Sequence, residues 1–338
     1  MKNKVLEFIV PSLLAVILTI ALLYVFLEPP AMVARFIHFT FNTPDFLPNT
    51  ELVENFIRTN HIRPIAYTCL AVVAFFILLG FITEKTGLSS AGAIVFFLPI
   101  FGYFASQMFF LAGIGMVRTL WLPFWPDAMH LGDIVYLPYI IIVYPFMLIG
   151  GKIGVVIGVF LPLLLVVLGF LLFLLSIQNW LRAKLQGKGI VDSWVYRFSR
   201  HPQYLGWLVW SYGLMLLLSN VPTVRGGENP GASLPWVITS LIIICVALGE
   251  EIQMERALGA GYDSYRRSTP FMFPIPKSIA ALINAPLRFL IKKARPENRK
   301  ELLVTFVVYL AVIILLSLPF LLFGTPDIIN QYWYSQLL

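Results

Sequence analysis

Two short polar runs stand out in an otherwise apolar chain of 338 residues. The first is Tyr196-Arg197-Phe198-Ser199-Arg200-His201-Pro202-Gln203-Tyr204, which leads directly into a hydrophobic stretch. Proline fits the first turn of a helix, where its missing N–H costs nothing. The run therefore sets an arginine, a histidine and unsatisfied backbone N–H groups at a helix start, an arrangement that binds anions. Its plainer reading is a capped helix start with tyrosine and arginine snorkelling to the membrane surface. The second run is Gly249-Glu250-Glu251-Ile252-Gln253-Met254-Glu255-Arg256, at the end of the next hydrophobic stretch. Two adjacent carboxylates there are costly unless they meet a cation or water, so one is placed to hold an ammonium group. The plainer reading pairs Glu251 and Glu255, one turn apart, with Arg256 or with the basic loop across the hairpin.

The elements that position these runs are membrane helices. Hydrophobic residues make up 59% of the chain and charged ones 12%, too apolar for a soluble globule of this size. Runs long enough for a bilayer core fall at 5–27, 62–83, 88–117, 133–149, 152–177, 204–220, 234–249 and 302–323, with Pro99 bending or breaking the third. The fold class expected is all-α, a polytopic integral membrane protein of about eight transmembrane helices. The first run is longer than a signal-peptide core and no cleavage pattern follows it, so it reads as a retained helix. Runs 204–220 and 234–249 form a helical hairpin that brings the anion-binding start and the acidic end to one membrane face. Together they suit a zwitterion carrying a carboxylate and an ammonium group.

Three regions follow: N-terminal helices over 1–177, the polar region with its hairpin over 178–276, and a basic segment plus final helix over 277–338. The loops 28–61 and 118–132 are rich in Pro, Phe and Trp, which suits the membrane–water interface. Segment 279–295 alternates apolar and basic residues at helical spacing and reads as one helix lying in the interface. Lys and Arg concentrate in 182–200 and 277–300, which places both loops on the cytoplasmic side beside anionic headgroups. Five crossings before the hairpin then put the N-terminus outside, against Lys2 and Lys4, unless 88–117 makes two passes. No aromatic interleaving or recognition motif accompanies the charge, so nucleic acid is not an expected partner. Cys69 and Cys245 both fall in hydrophobic runs, which leaves neither a disulfide framework nor a thiolate metal cluster.

The string Val195-Tyr196-x-x-x-Arg200-His201-Pro202-x-Tyr204-x-Gly206-Trp207-x-x-Trp210-Ser211-x-Gly213, then Glu250-Glu251, then Gly259-x-x-Tyr262-x-x-Tyr265-x-x-x-x-Pro270, resembles the isoprenylcysteine carboxyl methyltransferases. It is more loosely similar to the phospholipid N-methyltransferases. The resemblance covers about 188–274. It implies S-adenosylmethionine as cofactor, bound beneath cytosolic loops, and a lipophilic acceptor entering from the bilayer. The implied cofactor-binding residues are Lys188, Gly189, Ile190, Val191, Tyr196, His201, Pro202, Gln203, Tyr204, Glu250, Tyr262 and Tyr265. Arg200, His201 and Glu251 are the candidate catalytic residues, the first two positioning the cofactor and Glu250 holding its ammonium group. Where the family has a substrate-contacting arginine this chain has Val246, and the loop Val221 to Ser233 and the final helix extend beyond the family pattern. Whether the acceptor is a carboxylate, a thiol or an amine stays open.

Methyl transfer is an in-line displacement on an activated carbon, so alignment and exclusion of water are the protein's main tasks. A second enzyme reading is an NADPH-dependent sterol-type double-bond reductase, a group similar in its own Arg-His-Pro-x-Tyr string, though Gly249-Glu250-Glu251 favours the methyltransferase. A third is a non-enzymatic membrane scaffold or transporter. Asp127, His130 and Asp133 have a metal-compatible spacing, but beside Pro123 and Pro126 they read as helix-capping groups, and no metal site is expected. His38 and His61 stand alone and are assigned no role.

Overall fold

The structure is a computed structural model that describes residues 2–41, 58–59, 61–83, 85, 87–93, 130–219, 223–224, 227–228 and 233–323. Its helices are α1 (Lys2–Phe41), α2 (Ile62–Thr83), α3 (Leu137–Ile149), α4 (Gly151–Leu185), α5 (Pro202–Ser219), α6 (Ser233–Leu258), α7 (Ala260–Ser268), α8 (Lys277–Ile283), α9 (Ala285–Ile291) and α10 (Arg299–Phe323). Short 3₁₀ turns cover Asp133–Tyr136 and Trp194–Arg197, and residues 87–93 are helical. Two-residue strands, Thr223–Val224 and Gly227–Glu228, pair antiparallel in the loop between α5 and α6. The fold is all-α, and three described helices are long and apolar enough to cross a membrane: Lys152–Leu185, Ser233–Leu258 and Arg299–Leu322. Shorter apolar helices cover Leu6–Leu22, Leu70–Thr83 and Asp133–Ile149. Most of the third expected run, with Pro99, lies outside the described residues.

Three expectations change. Residues 28–41, read as loop because of Glu28-Pro29-Pro30, continue α1. Each proline removes one helical hydrogen bond, yet α1 continues through both to Phe41. Segment 279–295 is two seven-residue helices, because Pro286 cannot donate to the preceding turn and starts a new helix instead. Helices α4 and α6 outrun their apolar cores, to Leu185 and Leu258, so Glu250 and Glu251 sit two turns inside α6 rather than at its end.

The chain divides into two compact units. One comprises Met1–Leu23, Leu164–Ser211 and Ile243–Tyr309. In it α4 and α5 cross at glycines: a Cβ on Gly206 would stand 2.6 Å from the Phe173 backbone nitrogen, and one on Gly169 would overlap that of Trp210. Small residues at a crossing let helix backbones approach closely where lipid supplies no hydrophobic drive. Gly187, with φ of 71°, ends α4 in a left-handed cap: its N–H reaches the Lys184 carbonyl and that of Lys188 the Ala183 carbonyl. Gln178 donates to Ser12 Oγ at 2.9 Å, tying α1 to α4.

The other unit comprises Tyr24–Leu163, Tyr212–Ile242 and Leu310–Leu338. Asp133, 1% exposed, anchors it by accepting from Ser233 Oγ at 2.6 Å and lying 3.0 Å from His130 Nδ1. Asp127, the third member of the metal-compatible trio, lies outside the described residues. Tyr139 donates to the Gly158 carbonyl and Tyr212 to the Val135 carbonyl, fixing α3 and the start of its 3₁₀ turn.

Replacing Gly206 by valine is expected to lower the melting temperature in detergent by several degrees, the effect of overpacking by roughly 1–3 kcal/mol. Gly87→Ala, with no neighbour within 4 Å of the added carbon, is the control and should melt like the parent. Equal melting of both variants would contradict the tight crossing.

Candidate functional site

The two polar runs meet at the junction of α5, α6 and the chain after α7. Arg200 Nε donates to Glu251 Oε1 at 2.6 Å, and both side chains are nearly enclosed, at 10% and 5% exposure. Its Nη1 donates to the Arg266 carbonyl at 2.9 Å and to the Thr269 carbonyl, while its backbone N–H reaches the Pro270 carbonyl at 3.0 Å. The guanidinium carbon stands 5.8 Å from the centre of the Phe271 ring. Arg200 is thus directed into the protein and fastens residues 266–271 to the start of α5.

His201 is 4% exposed and lies between the two carboxylates. Its Nδ1 is 3.8 Å from Glu250 Oε2, and its Nε2 is 3.3 Å from Glu251 Oε1 without the alignment of a hydrogen bond. Tyr204 stacks on the imidazole at 5.8 Å, and Phe271 meets it edge-on at 5.2 Å. Tyr204 donates its hydroxyl to Glu250 Oε1 at 2.7 Å. Adjacent in sequence, the two glutamates therefore differ. Glu251 is closed in by Arg200, while Glu250 is the more accessible of the two, at 26% exposure.

Three tyrosines line the same region. Tyr265 donates to the Tyr196 carbonyl at 2.8 Å and packs against Tyr262, the rings 6.2 Å apart. The hydroxyls of Tyr196 and Tyr262 are buried without a hydrogen-bond partner among the described residues. Burial raises the pKa of all three phenols above the ordinary value, with further upward pushes from Tyr265 and Glu250 on Tyr196 and from Glu251 on Tyr262, so they stay protonated and able to donate. The turn that aims Tyr196 inward is held from behind: Asn179 donates to the Ser193 carbonyl at 2.6 Å, and Trp194 adopts a left-handed φ of 54°. Such backbone costs of order 1–3 kcal/mol and persists where surrounding structure enforces it.

The remaining sequence-predicted residues surround this centre. Pro202 is buried at the first turn of α5, Gln203 is half-buried beside it, and Ile190 and Val191 are half-buried while Lys188 and Gly189 are exposed. Gly189 lies against Leu258 and Ile190 against Gly261, so 188–191 runs along the turn between α6 and α7, where Gly259 has a φ of 53°. Sequence reasoning missed the contributions of Phe271 and of the Arg266 and Thr269 carbonyls. Only the position of the motif's Pro270, next to both Thr269 and Phe271, pointed toward them.

Residues 156–225 match the isoprenylcysteine carboxyl methyltransferase family. The match assigns this segment to a family of membrane methyltransferases and includes the Arg200-His201-Pro202-Gln203-Tyr204 run. It begins inside α4, upstream of the resemblance seen by motif, and stops before the Glu250-Glu251 pair. No curated protein and no solved structure matches the chain.

Breaking the Arg200–Glu251 pair from one side should be severe. Arg200→Met leaves a buried carboxylate and two carbonyls without their donor, and is expected to cost about 3–5 kcal/mol. The double variant Arg200→Met/Glu251→Leu should recover much of that loss, because no lone charge remains buried. Thermal unfolding in detergent measures both; a double variant that melts no higher than Arg200→Met would contradict the pairing.

Proposed function

We propose that the protein is a multi-pass membrane methyltransferase that uses S-adenosylmethionine to methylate a lipophilic acceptor drawn from the bilayer. The observation that carries this reading is a pair of buried hydroxyls, on Tyr196 and Tyr262, with no hydrogen-bond partner among the described residues, beside His201 and the two glutamates. An unsatisfied buried polar group costs about 1–3 kcal/mol, so a polar ligand binding there would offset a standing penalty. The donor set fits the amino-acid end and hydroxyl groups of such a cofactor.

When bound, S-adenosylmethionine supplies a methyl carbon already activated by its positive sulfonium, so no nucleophilic side chain is needed. Glu250, the more accessible carboxylate, accepts the ammonium group while Tyr204 holds its other oxygen. The first turn of α5 offers backbone N–H groups to a carboxylate. Tyr196 and Tyr262, kept protonated by burial, donate to the ligand's oxygen and nitrogen atoms. Arg200 and Glu251 position rather than touch: their mutual bond and the Arg200 contacts to 266–271 hold that stretch over the start of α5. The basic runs 182–200 and 277–300 support a cytoplasmic orientation for this site. Val246 is fully buried and offers no charge to an acceptor carboxylate, so the acceptor is defined by its lipophilic part.

Purified protein should bind methyl-labelled S-adenosylmethionine, and Glu250→Ala should weaken binding tenfold or more, the roughly 1.5–3 kcal/mol of a hydrogen bond to a charged group. Wild type that binds no better than Glu250→Ala would overturn the assignment. Thermal stabilisation by NADPH and not by S-adenosylmethionine would favour the reductase instead.

A further inference from the structure

The basic segment after the site carries a feature that methyl transfer does not use. Residues 277–300 contain seven Lys or Arg and one acidic residue, Glu297. Lys293 pairs with Glu297 at 2.6 Å and Glu301 at 3.1 Å, and Arg295 with Glu255 at 3.1 Å. Arg288 and Lys292, by contrast, are exposed and have no acidic partner among the described residues. They flank Phe289, 84% exposed, and follow Leu282, 75% exposed, the two most exposed apolar side chains of the segment.

Depth is set by the last helix. Tyr309 donates to the Ile283 carbonyl at 2.9 Å, at the end of α8. Tyr309 lies seven residues, about 10 Å, into the apolar run of α10 that begins at Leu302. At that depth Leu282, next to Ile283, would meet acyl chains, and the long side chains of Arg288 and Lys292 could reach back to the headgroups. Cations and bare apolar side chains then face outward at one place, the two chemistries a phospholipid presents together.

We infer that α8 and α9 form a docking surface for anionic phospholipid, with Arg288 and Lys292 on the headgroup and Phe289 and Leu282 in the acyl region. The surface is tied to the candidate site through Arg295, which bonds Glu255 one turn beyond Glu251 on α6. It does not depend on the identity of the cofactor.

The test reconstitutes the purified full-length protein in nanodiscs of phosphatidylcholine with a minor fraction of phosphatidylserine, then reads by native mass spectrometry which lipid stays bound. A cation near an anionic surface contributes roughly fivefold in affinity, so two should enrich phosphatidylserine by about twentyfold over its bulk share. Arg288→Gln/Lys292→Gln should bring the retained ratio to within about twofold of bulk. Arg288→Lys should keep the enrichment, because the charge remains. No enrichment in wild type, or the same enrichment in the double glutamine variant, overturns the inference. So does equal competition by soluble polyglutamate, which would mark the patch as a site for acidic protein.

Discussion

The candidate site is built on one buried ion pair. Arg200, from the start of α5, meets Glu251, from α6, and also donates to the carbonyls of Arg266 and Thr269. A guanidinium holds several acceptors at once in a fixed plane, which a lysine would not do. Three separate stretches of chain are thereby fixed to one cation. A buried pair is not in itself a strong source of stability, since desolvation opposes its attraction. Its worth here is specificity of arrangement: each partner is costly to bury alone, so the three stretches are held together or not at all.

From that constraint the division between the glutamates follows. Glu251 is committed to Arg200, whereas Glu250 is more exposed and is oriented by Tyr204. His201 is kept between them by its neighbours Ser199, Tyr204 and Phe271 rather than by a strong bond of its own. The result is a cluster whose rigid members, Arg200 and Glu251, are satisfied internally, while the buried Tyr196 and Tyr262 hydroxyls have no hydrogen-bond partner among the described residues. Such a pattern is unusual in a finished core, where nearly all buried polar groups are paired, and ordinary in a binding site.

Much of this was legible in the sequence because hydropathy and local motif chemistry are strong signals in membrane proteins. Run 62–83 coincides with α2, and the Arg200-His201-Pro202 start of α5 and the Glu250-Glu251 pair on α6 come together as the hairpin requires. What could not be read was which polar groups satisfy one another. Arg200 looked like a ligand-facing cation, since nothing local reveals that carbonyls 66 and 69 residues away would take its donors. Helix ends were misjudged for a related reason. Apolar runs mark where lipid begins, whereas α4 and α6 continue past it on backbone hydrogen bonds and ion pairs such as Glu255 with Arg266. Pro29, Pro30 and Pro286 show the same residue type acting oppositely, carried inside α1 but dividing α8 from α9.

On the proposed function, the two polar runs form one cofactor site held together by Arg200. Hydrogen exchange of the purified full-length protein, with and without S-adenosylmethionine, addresses it most directly. Protection should rise together in 196–205 and in 250–271, the two halves joined by the ion pair. Protection confined to one half, or absent from both, would contradict it.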